Sequence, residues 1–231
     1  MSKQCCVWAV LLLGLLAGLA ARTPPPSRKA LNVLTLGDSN GIFPHSWPQQ
    51  LGRALPNTRV FNLSKSGRTI GFVNNGDSSL NSLLVIDDNL RRAADFTRDW
   101  PYDYVVLALG TNDAKAVFAN RQAEVPAHLE QLVRRIQGSP YPALARARLI
   151  IIAPPPQGRR AEATAKYQGG NQRVAQLSPA FREVAQRTHC LFVDGYHTPG
   201  LDIETMSPDG IHLDAAGSQK LIAPVVALLR Q

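Results

Sequence analysis

Cysteine is scarce in this chain: Cys5, Cys6 and Cys190 are the only three in 231 residues. So few, so placed, exclude a disulfide framework and the paired spacings of zinc ribbons and fingers. His189, Cys190 and His197 lie near one another in sequence but match no ligand pattern, so no metal is expected. Aromatic residues make up only 6%. A single-stranded nucleic-acid surface needs aromatic platforms beside a basic groove. Here the basic residues are mostly arginines strung along helical stretches, such as Arg91, Arg92, Arg134, Arg135, Arg182 and Arg187. Acid is in deficit, 17 residues against 25 basic ones, for a formal charge of +8. Without interleaved aromatics that excess reads as solvated helix faces, and no nucleic-acid partner is expected.

Long hydrophobic runs are also wanting. The one that stands out is Val7 to Ala20, within "MSKQCCVWAVLLLGLLAGLA", and it is short for a membrane span. Lys3 precedes it, and Gly18 and Ala20 end it with small residues, as in a secretory signal peptide cut after Ala20. We therefore expect residues 1–20 to be a signal peptide and residues 21–30, with "TPPPSRKA", to be an extended linker. Residues 31–231 then form one domain, secreted or periplasmic, with no stable membrane insertion after cleavage. Cleavage removes Cys5, Cys6 and Lys3, leaving Cys190 without a partner and lowering the charge from +8 to +7. A domain of this length buries enough surface to stand without disulfides.

What the chain does have is alternation. Apolar runs rich in β-branched residues, "ALNVLTLG", "TRVFNLS", "DYVVLALG", "ARLIIIAPPP" and "CLFVDG", read as five strands. Between and after them lie amphipathic stretches: "SWPQQLGRAL", Asp77 to Asp99, "VPAHLEQLVRRIQG", "NQRVAQLSPAFREVAQRT" with a kink expected near Pro179, and "DAAGSQKLIAPVVALLR". Leu80, Leu83, Leu84, Leu90 and Ala94 are the expected inner stripe of the second. Strands alternating with helices imply parallel pairing and right-handed crossovers, and near-continuous apolar strands imply a sheet covered on both faces. The expected fold is an α/β three-layer α/β/α sandwich with a flavodoxin-like, five-stranded parallel sheet.

In such sheets ligands bind beyond the carboxyl ends of the strands. Those ends carry Gly37–Asp38–Ser39, Ser64–Lys65–Ser66–Gly67, Gly110–Thr111–Asn112–Asp113, Pro154–Pro155–Pro156 and Asp194. Ser39 sits in the pattern G-x-S-x-G, which turn chemistry alone could produce. As a nucleophile it needs a base, the base needs an orienting group, and a developing oxyanion needs donors. Of five histidines, two follow an aspartate by three residues: Asp194 and His197 in "DGYH", Asp209 and His212 in "DGIH". That spacing lets a carboxylate reach one ring nitrogen while the other faces the serine. Asp209 and His212 are favoured, because His212 immediately precedes the last helix, from which a loop can reach the first strand. Asp38 and Asp113 read as turn or helix caps, and Thr111 and Ser66 as turn residues.

Taken together, "GDSN", "NLSKSGRT", "LGTND" and "SPDGIHL" resemble, in chain order, the four blocks of the SGNH or GDSL hydrolases. The resemblance spans nearly all of the chain after the linker. It implies a serine esterase with Ser39 as nucleophile and with Asp209 and His212 completing a triad. It also implies an oxyanion hole of the Ser39 and Gly67 backbone N–H groups and the Asn112 side-chain amide, with no cofactor and no metal. The rival α/β-hydrolase elbow fits poorly: it follows several strands, whereas Ser39 follows the first, and its aspartate does not sit three residues before its histidine. "GTNDAK" and the proline-ended fourth strand resemble the arylesterase and acyltransferase branch, which implies a small-molecule or glycan ester substrate with a small acyl group, acetyl above all. Lysophospholipase or thioesterase activity, acyl transfer to a sugar hydroxyl, and non-catalytic carbohydrate binding are the alternatives. Loops 70–80 and 157–170 are expected to set specificity, the second, "GRRAEATAKYQGG" within it, as a solvated basic loop. Oligomeric state is left open.

Overall fold

The computed structural model describes residues 30–98 and 100–230. The expected signal peptide and nearly all of the linker lie outside the described residues. Five strands, β1 (Leu31–Gly37), β2 (Thr58–Asn62), β3 (Tyr104–Ala108), β4 (Arg148–Ile152) and β5 (Leu191–Val193), form one parallel sheet in the order β2-β1-β3-β4-β5. Among the described residues six α-helices accompany it: α1 (Trp47–Ala54), α2 (Ser82–Phe96), α3 (Val125–Gln137), α4 (Arg159–Glu162), α5 (Gly170–Arg187) and α6 (Ala215–Leu229).

Alternation along each strand divides the core in two. Leu34 and Leu36 of β1, Val105 and Leu107 of β3 and Leu149 and Ile151 of β4 point to one face. There they meet Ile86, Leu90 and Ala93 of α2, Leu129, Leu132, Val133 and Ile136 of α3, and Val174, Leu177, Phe181 and Val184 of α5. Val33, Val106, Ile150 and Ile152 point to the other face, against Trp47 and Leu51 of α1 and Leu221, Ile222, Val225 and Val226 of α6. Both faces of the central strands are thus covered, which is why β1, β3 and β4 are largely apolar, whereas the edge strand β2, Thr58–Asn62, stays half-exposed and carries Arg59. The result is the expected three-layer α/β/α sandwich.

The differences from expectation are local. The stretch 77–99 does not start as one helix: Asp77 caps a 3-10 turn at Ser78–Leu80, and Asn81 then caps α2 by accepting from Leu83 N–H. That break rotates the inner face onto Ile86, Leu90 and Ala93, and Leu84 is left 62% exposed. Helix α5 runs through Pro179 as one element. The segment 116–124, unassigned from sequence, is a 3-10 helix leading directly into α3, and part of the supposed loop 157–170 is α4.

The register aligns the strand ends: Gly37 pairs with Ala108, Ala108 with Ile152, and Ile152 with Val193. From β1 the chain crosses first to β2 on one side and then to β3 on the other. The crevice at that reversal is the ligand-binding position of open α/β sheets, and Ser39 opens onto it from β1.

Candidate active site

Beyond Gly37 the chain turns sharply. Asp38 accepts from Asn40 N–H at 2.9 Å and so caps a one-turn 3-10 helix, Ser39–Gly41. The turn lies close against its neighbours: a side chain on Gly41 would collide with Ser64, at the end of β2. The second glycine of G-x-S-x-G is therefore a demand of packing against β2. Asp38 does act as the expected cap. Burial raises its pKa, although the Asn40 N–H and the Thr111 hydroxyl oppose that.

The "DGIH" loop reaches this turn from the far end of the chain. Gly210 has φ +79°, a conformation that side chains with a Cβ rarely adopt, and its backbone packs on Gly158 and Ala161 around the start of α4. The turn it permits folds the loop round the Asp209 carboxylate. One oxygen accepts from Ile211 N–H at 2.9 Å and His212 N–H at 2.8 Å, and the other lies 2.6 Å from His212 Nδ1. Burial pushes the Asp209 pKa up, but the hydrogen bonds from His212 and Ile211 outweigh it and hold the group down at about 2. Asp209 is therefore ionised across the neutral range. On the other side of the ring, His212 Nε2 lies 2.9 Å from Ser39 Oγ.

The structure thus brings Ser39, His212 and Asp209 into one hydrogen-bonded line, although Ser39 and His212 stand 173 positions apart in sequence. A serine so placed can be deprotonated as it attacks a carbonyl carbon. The other D-x-x-H pair has the same local geometry without the serine. Asp194 lies 3.1 Å from His197 Nδ1, but Ser178 and Arg182 hold its carboxylate, and the His197 side chain is 69% exposed.

Asn112 and Gly67 come from the loops after β3 and β2, the two strands flanking β1. Asn112 is buried and donates to Arg68 C=O at 3.1 Å, which places its amide beside the residue after Gly67. An Asn amide carries two N–H groups, so one remains to aim at a substrate. Asp113 does not cap its own turn as expected. Its carboxylate instead accepts from Ile70 N–H at 3.0 and 3.1 Å, pinning the loop that bears Gly67. Burial lifts its pKa to about 7, more than the N–H donors of Ile70 and Gly71 lower it, with Asp38 adding a small repulsion.

Two supports escaped the sequence reading. The Asn40 side chain donates to Ile211 C=O at 3.0 Å and accepts from Leu213 N–H at 2.9 Å, gripping the backbone on both sides of His212. Arg160 of α4 donates to Ser207 C=O and Pro208 C=O, each at 3.2 Å, and steadies the start of the same loop. Arg159 lies 3.6 Å from Glu204, but its side chain stays 88% exposed.

Residues 34–220 match the model of the GDSL-like lipase/acylhydrolase family. The chain belongs to that family. This GDSL hydrolase is accordingly a carboxylic ester hydrolase of the SGNH fold. A carbohydrate acetylesterase from Sinorhizobium meliloti, Est24, superposes with a TM-score of 0.70 at 23% identity, covering 87% of this chain and 98% of its own. A second carbohydrate acetylesterase family member from the same organism gives 0.69 at 26%, covering 86% and 98%. The native aryl esterase of M. smegmatis gives 0.71 at 23%, covering 87% and 99%. No curated protein matches the chain in sequence.

Proposed function

We propose that this GDSL hydrolase cleaves small-acyl esters, acetyl above all, of small molecules or glycans outside the cytosol. The observation that carries the reading is the continuous line from Ser39 Oγ through His212 to Asp209, at 2.9 and 2.6 Å. Ser39 Oγ bonds to the ester carbonyl carbon while its proton passes to His212 Nε2. The Ser39 N–H, the Gly67 N–H and the free N–H of Asn112 receive the oxyanion. On collapse, the bond from carbon to the alcohol oxygen breaks, and His212 returns its proton to the departing alcohol. Water then repeats the sequence on the acyl-serine and restores Ser39. Asp209 stays ionised throughout, fixing the His212 tautomer and stabilising the imidazolium. The reaction balances with no cofactor.

Three observations favour a small acyl group: the "GTNDAK" block, the proline-ended β4, and the structural likeness to carbohydrate acetylesterases and an aryl esterase. Export is supported by the pattern of residues 1–20. Among the described residues no helix is long and apolar enough to cross a membrane. The test is a p-nitrophenyl ester series from acetate through butyrate to octanoate. We expect kcat/KM to be greatest for acetate and to fall with chain length. A preference for octanoate would overturn the small-acyl reading, and acyl products formed with an added sugar in place of acid would make transfer the main reaction.

A further inference from the structure

The block "GTNDAK" ends in Lys115, a residue that the mechanism above does not use. Of the described lysines only this one is buried, at 2% exposure. A buried ammonium is costly unless it is held by partners, and an apolar side chain of similar length would fill the same space without that cost. Its partner is specific. Lys115 Nζ donates to Asn74 Oδ1 at 3.0 Å, and Asn74 Nδ2 donates in turn to Gly67 C=O at 2.6 Å. Asn74 is itself 1% exposed. Gly67 has φ +76°, so its backbone direction depends on what anchors its peptide groups. An ammonium drawing on the amide oxygen polarises the amide and strengthens the bond that its N–H makes to Gly67.

Three residues of one block therefore fasten the same loop. Asn112 holds Arg68 C=O, Asp113 holds Ile70 N–H, and Lys115 holds Gly67 C=O through Asn74. The geometry points to Lys115 and Asn74 as positioning residues that hold the Gly67 N–H in the oxyanion hole. This inference rests on the function proposed above and adds to it a cause for the rate that lies outside the triad and the donors themselves.

The charge of Lys115 should matter to the same degree as its reach. Burial, with the repulsion of Lys166, outweighs the pull of the Asp113 and Asp38 carboxylates and lowers its pKa to about 8. Above that pH the amine loses its charge and polarises Asn74 less.

The test is steady-state hydrolysis of p-nitrophenyl acetate by the full chain, by Lys115→Met, which keeps the stem, and by Asn74→Asp. The second variant keeps an oxygen for Lys115 but replaces the N–H that Gly67 C=O accepts from. We expect both to lower kcat by about 10- to 10²-fold with KM little changed, the penalty of a displaced catalytic group. The double variant should be no slower than the slower single one, and Lys115→Arg should recover part of the rate. Wild-type kcat should decline on the alkaline side as Lys115 discharges, and Lys115→Met should lack that decline. If Lys115→Met does not fold, Asn74→Asp decides. Wild-type kcat in a folded Asn74→Asp, or a change confined to KM, overturns the inference while leaving the esterase reading standing. A wild-type chain that neither hydrolyses the ester nor reacts at Ser39 overturns both.

Discussion

Replacing Asn40 by alanine isolates the contribution of loop anchoring to the proposed chemistry. Asn40 is 5% exposed, and its side chain makes two bonds, to Ile211 C=O at 3.0 Å and from Leu213 N–H at 2.9 Å. Neither bond involves Ser39 or His212, but together they tie the residues before and after His212 to the turn that carries Ser39. Each neutral hydrogen bond is worth about 1 kcal/mol net, and a buried group left without a partner costs about 1–3 kcal/mol. Asn40→Ala should therefore destabilise the fold by roughly 2–4 kcal/mol, a loss that a domain with about 5–15 kcal/mol of stability survives. The larger effect should be kinetic. His212 Nε2 reaches Ser39 Oγ at 2.9 Å only while the loop is held down, and a shift of about 1 Å in a reacting group costs about 10²-fold. Urea denaturation gives the first quantity and p-nitrophenyl acetate turnover the second. Asn40→Asp, which keeps the acceptor for Leu213 N–H but turns a buried carboxylate oxygen toward Ile211 C=O, should be at least as damaging as alanine. Asn40→Ala with wild-type midpoint and wild-type kcat would refute the reasoning.

Other outcomes follow from the same geometry. Asn112→Ala should fold and lose about 10²–10³ in kcat, the usual worth of one oxyanion donor; unchanged turnover would remove Asn112 from the hole. Asp209→Asn should keep the fold and lower kcat by up to about 10⁴, because the amide stabilises neither the right tautomer nor the imidazolium. The pKa of Asp113 is raised from 3.8 to about 7, so between those values the folded chain holds a proton that the unfolded chain has lost. Its contribution to stability is full below the lower value and is lost as pH rises through the upper one. Asp113→Asn should flatten that decline, read as denaturation midpoints at about pH 5 and about pH 8; the same slope in wild type and variant would contradict the assignment.

The central strands were legible because they are covered on both faces and so are largely apolar, as in "RLIII" of β4 and "YVVLA" of β3, while the half-exposed edge strand β2, "TRVFN", was legible from Val60 and Phe61 alone. Helices were legible where one stripe is buried and where a cap is explicit. They were misjudged in the stretch 77–99, where two successive caps, Asp77 and Asn81, break the run and shift its phase, exposing Leu84. Ser39 and the "DGIH" pair stood out because a base and its orienting carboxylate can meet within a single turn. Spacing is the same in the two D-x-x-H pairs, and His212 was favoured over His197 by its place just before the last helix; the structure shows the physical distinction, for both pairs have the local contact but only His212 is carried to Ser39.

The anchors were hidden for a different reason. Asn40, Asn74, Asp113 and Lys115 have the composition of ordinary turns, and their partners are remote in sequence: Asn40 binds residues 171 and 173 positions away, and Lys115 reaches Asn74 41 positions back. Turn chemistry predicts local bonds for such residues, as Asp38 makes. Nothing in a single sequence shows when a turn residue instead spans the crevice between two strand ends. Their one visible signal was crowding, with too many polar groups gathered at the carboxyl edge for solvated turns alone.

The proposed chemistry depends on the turn after β1 holding a nucleophile. The most direct measurement is intact-mass analysis of the chain treated with a serine-reactive phosphonate, beside Ser39→Ala, with p-nitrophenyl acetate turnover recorded for both. An active wild-type chain should carry one adduct, mapped to Ser39, and a folded Ser39→Ala should show neither adduct nor turnover. Turnover that survives the substitution, or an adduct on another residue, would contradict a nucleophilic role for Ser39.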